Sequence, residues 1–120
     1  MSEAEILFDV RDGLGLITLN RPKALNALTH GMILEMEKVI PGWETDPKIK
    51  AVVLRGAGDE AFAAGADIAE FATERADIEQ AARYGALIHD AMQAVARCIH
   101  PVIAMIKGAC VGGGLEIAAM

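Results

Sequence analysis

In "IKAVVLRG", residues 49–56, four apolar residues run together between Lys50 and Arg55. A run that short and rich in β-branched residues reads as a buried strand. Upstream, "LGLITLN" (14–20) has the same character and follows the turn signal Asp12-Gly13, so it reads as another strand. Between the two, Met32, Ile33, Met36, Val39 and Ile40 recur at helical spacing. Thr29 is the expected N-cap, with Glu35 and Glu37 in early turns where the helix dipole favours acids. Pro41-Gly42 is expected to kink or end that helix. Strand, helix and strand within about 40 residues form a crossover unit, which predicts a parallel sheet.

Further along, the spacing predicts a long helix over 77–99, with Ile78, Ala81, Gly85, Ile88, Met92, Val95 and Ile99 as one apolar stripe. "PVIAMIKG" (101–108) reads as the next strand, and Gly112 to Gly114 lead into a last helix starting near Leu115. Repeats, low-complexity tracts and linkers are missing from the pattern. The fold class is therefore α/β, a mostly parallel sheet with flanking helices. The chain stops at "GLEIAAM", partway through an apolar helix-like run. The expectation is that residues 1–120 are the N-terminal part of a single, incomplete domain.

Composition narrows the functions. At 53% hydrophobic and 23% charged, the 120-residue chain is globular rather than disordered. A formal charge of −6 with scattered Lys and Arg argues against nucleic acid as partner, because phosphate backbones need a basic face. "MSEAEILFDV" is not a secretory signal, and no apolar run reaches the roughly 18 residues of a membrane helix. Cys98 and Cys110 have neither disulfide-framework nor zinc-ligand spacing. His30, His89 and His100 lack metal-like spacing and are assigned to structure or surface. A cytoplasmic, soluble, reduced protein without a membrane partner is expected.

Two segments put glycine and alanine where side-chain chemistry would be expected. "AFAAGAD" (61–67) leads to a short helix at "IAEFA", and Asp67 with Glu70 fits the D-x-x-E form of a capping box. That role explains Asp67 but not the run of small residues at 63–66. Small side chains let a ligand approach the main chain, and an amide before a helix start can point at a polarised oxygen. "GACVGGGLE" (108–116) repeats the logic of strand, glycines and helix start, and it matches neither a Walker loop nor G-x-G-x-x-G. Close packing alone accounts for a glycine triplet, but two such segments suggest a pair of amides aimed at one oxygen, an oxyanion hole. Glu116 is either an ordinary first-turn acid or a carboxylate placed beside that hole to move a proton or hold a water.

Together, "LNRPKALNAL" (19–28), "FAAGADI" (62–68) and "PVIAMIKGACVGGGLEIA" (101–118) resemble motifs of the crotonase superfamily, the enoyl-CoA hydratase/isomerase group, in its order and spacing. The resemblance covers nearly all of this chain but only the first half of a typical member. It implies a spiral of β-β-α units assembling as trimers or hexamers. It also implies that the amides of Ala66 and Gly113 hold the thioester carbonyl of an acyl-CoA and stabilise the enolate formed from it. Coenzyme A, part of the substrate rather than a resident cofactor, would lie along "RPKAL" and "AAGADI". Lys23 would meet its phosphates, although a plain solvated lysine is an equally good reading. The main chain at Ala24, Leu25, Ala64 and Ile68, beside Asp67, would hold the rest.

Glu116 matches the first of two acids in the hydratases, and the second would come from beyond residue 120. Many relatives carry a lysine after the "ADI" triplet where this chain has Ala69, which weakens the phosphate grip there. The implied reaction is 2-enoyl-CoA hydration. Isomerase, hydrolase and dehydratase reactions remain alternatives, as does a non-catalytic acyl-CoA-binding or oligomer subunit. A serine protease on the same spiral would need a nucleophile, and Ser2 is the only serine.

Overall fold

The computed structural model describes residues 4–65, 86, 89–90, 93–98 and 100–110. β1 (Ile6–Arg11) and β2 (Leu14–Leu19) form an antiparallel hairpin. Its two turn residues, Asp12 and Gly13, have φ of 50° and 82°. That left-handed pair is what a tight hairpin needs to match the twist of its strands. After a 3-10 turn (Pro22–Ala24) comes α1 (His30–Glu44), then β3 (Ala51–Gly56) pairing parallel to β2. β5 (Val102–Met105) extends the parallel set, giving the order β1-β2-β3-β5. A second small sheet pairs β4 (Ala61–Ala63) parallel to β6 (Ala109–Cys110).

One sheet face is sealed. Ile6, Ile17, Leu19, Val52 and Leu54 pack with Met32, Met36 and Ile40 of α1 and with Val95 into one cluster. Phe62 of β4, fully buried, ties the second sheet to that core. Each such large side chain contributes about 1.5–3 kcal/mol by leaving water. Trp43 closes the far end: its ring meets Phe8 edge-on at 6.0 Å and 82°. It also covers Gly15, where an added Cβ would stand 2.5 Å from the indole.

Several expectations need correction. Pro41 and Gly42 do not end α1, which runs on to Glu44 and caps at Thr45. The N–H that proline lacks would have bonded near the exposed side of the helix, where water can serve the carbonyl, while Ile40 and Trp43 anchor the last turn. Thr29 is the N-cap, its Oγ1 accepting from Met32 N–H at 3.2 Å. The reciprocal contact comes from a thioether: Thr29 N–H meets Met32 Sδ at 3.4 Å. Glu35 and Glu37 miss the first turn, where the dipole is strongest.

β1 and β4 are strands in addition to those that the pattern predicts. The stretch 101–108 divides into β5 and a turn before β6, because Gly108 (φ 69°) passes so close to the Glu60 carbonyl that a Cβ would collide with it. Within the predicted 77–99 helix, residues 86, 89–90 and 93–96 are helical. Val95 of the predicted stripe is buried, and Ile78, Ala81, Gly85, Ile88, Met92 and Ile99 lie outside the described residues. So do the short helix expected at "IAEFA" and the one starting near Leu115.

Candidate functional site

The turn after β2 is closed by its own main chain. Ala24 N–H and Asn26 N–H both reach the Arg21 carbonyl, at 2.9 and 2.8 Å, and Leu25 N–H reaches that of Pro22 at 3.2 Å. Leu25 and Asn26 sit at φ 53° and 55°, two successive left-handed residues that fold the chain back toward α1. Asparagine tolerates that region better than most residues. Leucine does not, so the turn carries strain that its surroundings must hold. Arg21 helps hold it: its Nη1 donates to the Ala27 carbonyl at 2.8 Å, and its Nε pairs with Glu5 Oε2 at 3.2 Å. The other Glu5 oxygen accepts from Thr29 Oγ1 at 3.1 Å, tying the turn to the start of α1.

Asn26 then fastens this turn to the second sheet. It is 1% exposed. Its Oδ1 accepts from Arg21 N–H at 2.9 Å, and its Nδ2 donates to the carbonyls of Ala57 (3.1 Å) and Ala61 (2.8 Å). Two main-chain bonds continue the seam, Ala64 N–H to Leu25 O at 3.0 Å and Leu28 N–H to Gly65 O at 2.7 Å. Gly56 makes the close approach possible, since a Cβ there would lie 2.5 Å from the Phe62 carbonyl and 2.6 Å from Asn26 Nδ2.

Outside the seam lies a cleft of about 350 Å³ between Pro22, Lys23 and Asn26 on one wall and Ala57 to Ala61 on the other. Lys23 is exposed at its mouth. A neighbouring hollow of about 320 Å³ is bounded by Thr18, Arg55, Met105 and Lys107. Arg55 Nε donates to Thr18 Oγ1 at 3.0 Å, and Lys107 pairs with Asp59 at 3.2 Å across the rim the two hollows share. Both partners of that pair are well exposed, so it adds about 0–1 kcal/mol. A cation therefore stands on each side of the Ala57–Asp59 loop.

The structure gathers four of the predicted site residues: Lys23, Ala24, Leu25 and Ala64 lie along one seam. The amides of Ala24, Leu25 and Ala64 are spent on the fold itself. What Ala24 and Leu25 offer a ligand is the second lone pair of each carbonyl and, at Leu25, a side chain 41% exposed. Ala66, Asp67, Ile68, Gly113 and Glu116 lie outside the described residues, as does Ala69. His100 has a structural contact: its Nε2 donates to the Trp43 carbonyl at 3.0 Å, serving the open end of α1. His89 is exposed. Among the described residues no group of three or more His, Cys, Asp or Glu could hold a metal ion, and no helix is long and apolar enough to cross a membrane.

Sequence reading passed over Asn26, Arg21 and Glu5. Asn26 left one usable signal: an asparagine just after a proline turn and before an N-cap is a favoured left-handed residue. Nothing in the sequence told that Glu5, on the strand side of the hairpin, would return to meet Arg21 and Thr29.

The mixed sheet, an antiparallel hairpin followed by parallel strands, is that of the crotonase fold class, in which comparison with solved proteins places the chain. The chain belongs to the enoyl-CoA hydratase/isomerase family, whose profile matches residues 9–120. An enoyl-CoA hydratase/carnithine racemase from Magnetospirillum magneticum superposes with a TM-score of 0.91 at 44% identity, covering 98% of this chain and 44% of that one. The enoyl-CoA hydratase of Bacillus anthracis gives 0.88 at 32% identity, over 96% of this chain and 44% of its own. Among curated relatives, the short-chain-enoyl-CoA hydratase of Clostridium acetobutylicum is 37% identical over 113 residues, 94% of this chain and 42% of that protein. The mitochondrial 3-hydroxyisobutyryl-CoA hydrolase of Gallus gallus is 36% identical over 117 residues, 97% of this chain and 30% of that protein. The chain thus spans less than half the length of these relatives.

Proposed function

We propose that the protein carrying this chain acts on acyl-CoA thioesters through an enolate held by two main-chain amides, those of Ala66 and Gly113, and that its reaction is 2-enoyl-CoA hydration. The observation that carries the reading is the seam between 21–28 and 57–65. It sets the Lys23 turn, where the phosphates and pantetheine of coenzyme A would lie, directly against the segment that runs into Ala66. Relatives named as enoyl-CoA hydratases support the chemistry. Losing one donor of such a hole costs about 3–4 kcal/mol of transition-state stabilisation. Lys23, with the carbonyls of Ala24 and Leu25 and the segment of Ala64, Asp67 and Ile68, would hold coenzyme A. It arrives as part of the substrate, with no resident cofactor.

Glu116 would orient water and pass a proton to carbon, with a partner acid supplied by further chain. Crotonyl-CoA hydration by a Glu116→Gln variant of the intact protein tests this. Turnover should fall by orders of magnitude with CoA binding kept, and unchanged turnover removes Glu116 from the mechanism. Relatives named as 3-hydroxyisobutyryl-CoA hydrolases favour a second reading, thioester hydrolysis at the same hole. Release of free thiol from a 3-hydroxyacyl-CoA, without hydration of crotonyl-CoA, selects it. A homotrimer or hexamer in the cytoplasm completes the proposal.

A further inference from the structure

We propose that Glu5 and Arg21 are positioning residues for coenzyme A, a clamp that stands behind the 22–26 turn and keeps it in the conformation that lines the cleft. This rests on the acyl-CoA reading above. Pro22, Lys23 and Asn26 form one wall of that cleft, and neither Glu5 nor Arg21 belongs to its lining. Lys23, in the middle of the 3-10 turn, takes part in no ion pair among the described residues. Its ammonium therefore goes where the main chain of the turn carries it. That main chain is strained: Leu25 at φ 53° precedes Asn26 at φ 55°, and leucine is disfavoured in the left-handed region.

The clamp grips both ends of the turn from outside. The Glu5 carbonyl accepts from Asn20 N–H at 2.8 Å and the Ala4 carbonyl from Asn20 Nδ2 at 3.0 Å, which fixes Glu5 beside the residue that enters the turn. Its carboxylate then divides. Oε2 takes Arg21 Nε at 3.2 Å, at the start of the turn, and Oε1 takes Thr29 Oγ1 at 3.1 Å, at the buried N-cap that follows it. The same guanidinium reaches across the turn, its Nη1 donating to the Ala27 carbonyl at 2.8 Å. A guanidinium is planar and rigid, so two bonds in different directions fix it where a lysine would swing. Arg21 is 22% exposed and Glu5 48% at their side chains, so the ion pair adds little to global stability. What it restricts is the freedom of a strained turn. When only a fraction of molecules holds the competent turn, the apparent dissociation constant rises by the inverse of that fraction.

Glu5→Gln in the intact protein gives the test a sign. The amide keeps an acceptor for Thr29 but loses the charge that holds Arg21. By Coulomb attraction alone, removing an acid near a polyanion tightens binding. The clamp predicts the reverse. Titration calorimetry with free CoA should give a dissociation constant raised by about 3- to 10-fold. Saturating crotonyl-CoA should give kcat within about twofold of the unaltered protein's, because the loss falls on ground-state and transition-state binding alike. Free CoA bound as tightly as by the unaltered protein, or more tightly, overturns the proposal. So does a kcat that falls in step with the affinity, which marks a general distortion.

Arg21→Lys is the second arm, and it decides alone where Glu5→Gln does not fold. It keeps the charge and gives up the fork, so one nitrogen cannot serve Glu5 and the Ala27 carbonyl together. Free CoA should bind about 3- to 10-fold more weakly. Adding Glu5→Gln to it should weaken binding by no more than about a further twofold, because partners in one contact are not additive. Unweakened binding by Arg21→Lys, or losses that simply add, overturns the clamp. An unaltered protein that binds no CoA defeats the acyl-CoA reading itself. One that binds CoA, with both variants matching it, defeats the clamp alone.

Discussion

Gly56→Ala puts one methyl group into the tightest point of the seam. Its Cβ would stand 2.5 Å from the Phe62 carbonyl, 2.6 Å from that of Ala61 and 2.6 Å from Asn26 Nδ2. The first two neighbours are main chain of a buried strand and cannot rotate away. Gly56 does not need glycine for its dihedral angles, so the penalty is steric. Overpacking of this kind costs about 1–3 kcal/mol. Driving Asn26 from Ala61 O leaves a buried acceptor unserved, for a further 1–3 kcal/mol or so. The sum of about 2–6 kcal/mol is a large share of a typical stability of about 5–15 kcal/mol. Urea unfolding of the intact protein, followed by far-ultraviolet circular dichroism, reads it directly. With a slope of about 2 kcal/mol per M, the midpoint should fall by about 1 M or more. A midpoint within about 0.3 M of the unaltered protein's would refute the steric reasoning.

Gly42→Ala is the matched contrast: a Cβ there meets nothing within 4 Å and the residue lies in α1, so the variant should gain about 0.5–1 kcal/mol in the same titration. Thr29→Ala removes both the cap on Met32 N–H and the hydroxyl bond to Glu5, and should lose about 1–2 kcal/mol by the same measure. The Arg11 guanidinium, and then the Val10 N–H, hold the Asp9 carboxyl below its ordinary value. A group depressed in the folded state contributes above the ordinary carboxylate range and loses that contribution as pH falls through its folded value. Asp9→Asn should therefore lower melting temperature slightly at neutral pH and not at all in strong acid.

The crossover unit was legible because its signals are local. β-branched runs at 14–20 and 49–56 and the helical spacing of Met32, Met36 and Ile40 each report on one element. Residues whose place depends on distant chain were not legible. Ile6–Arg11 alternates weakly because it is the outer strand of its hairpin, mostly exposed. Phe62 and its alanine neighbours carry no strand signal because a three-residue strand has no period. Pro41 does not end α1, since Ile40 and Trp43 pack against the core on either side of it.

At the site, Lys23 to Leu25 and Ala64 were marked by their motifs, whereas Asn26 was not. Its role comes from bonds to residues 31 and 35 positions away.

A crystal structure of the intact protein with a bound unreactive enoyl-CoA analogue tests the central claim most directly. The account predicts the thioester oxygen within about 3 Å of both the Ala66 and Gly113 nitrogens, with the nucleotide end beside Lys23. Those two nitrogens facing apart, or the oxygen held by side chains elsewhere, would contradict it.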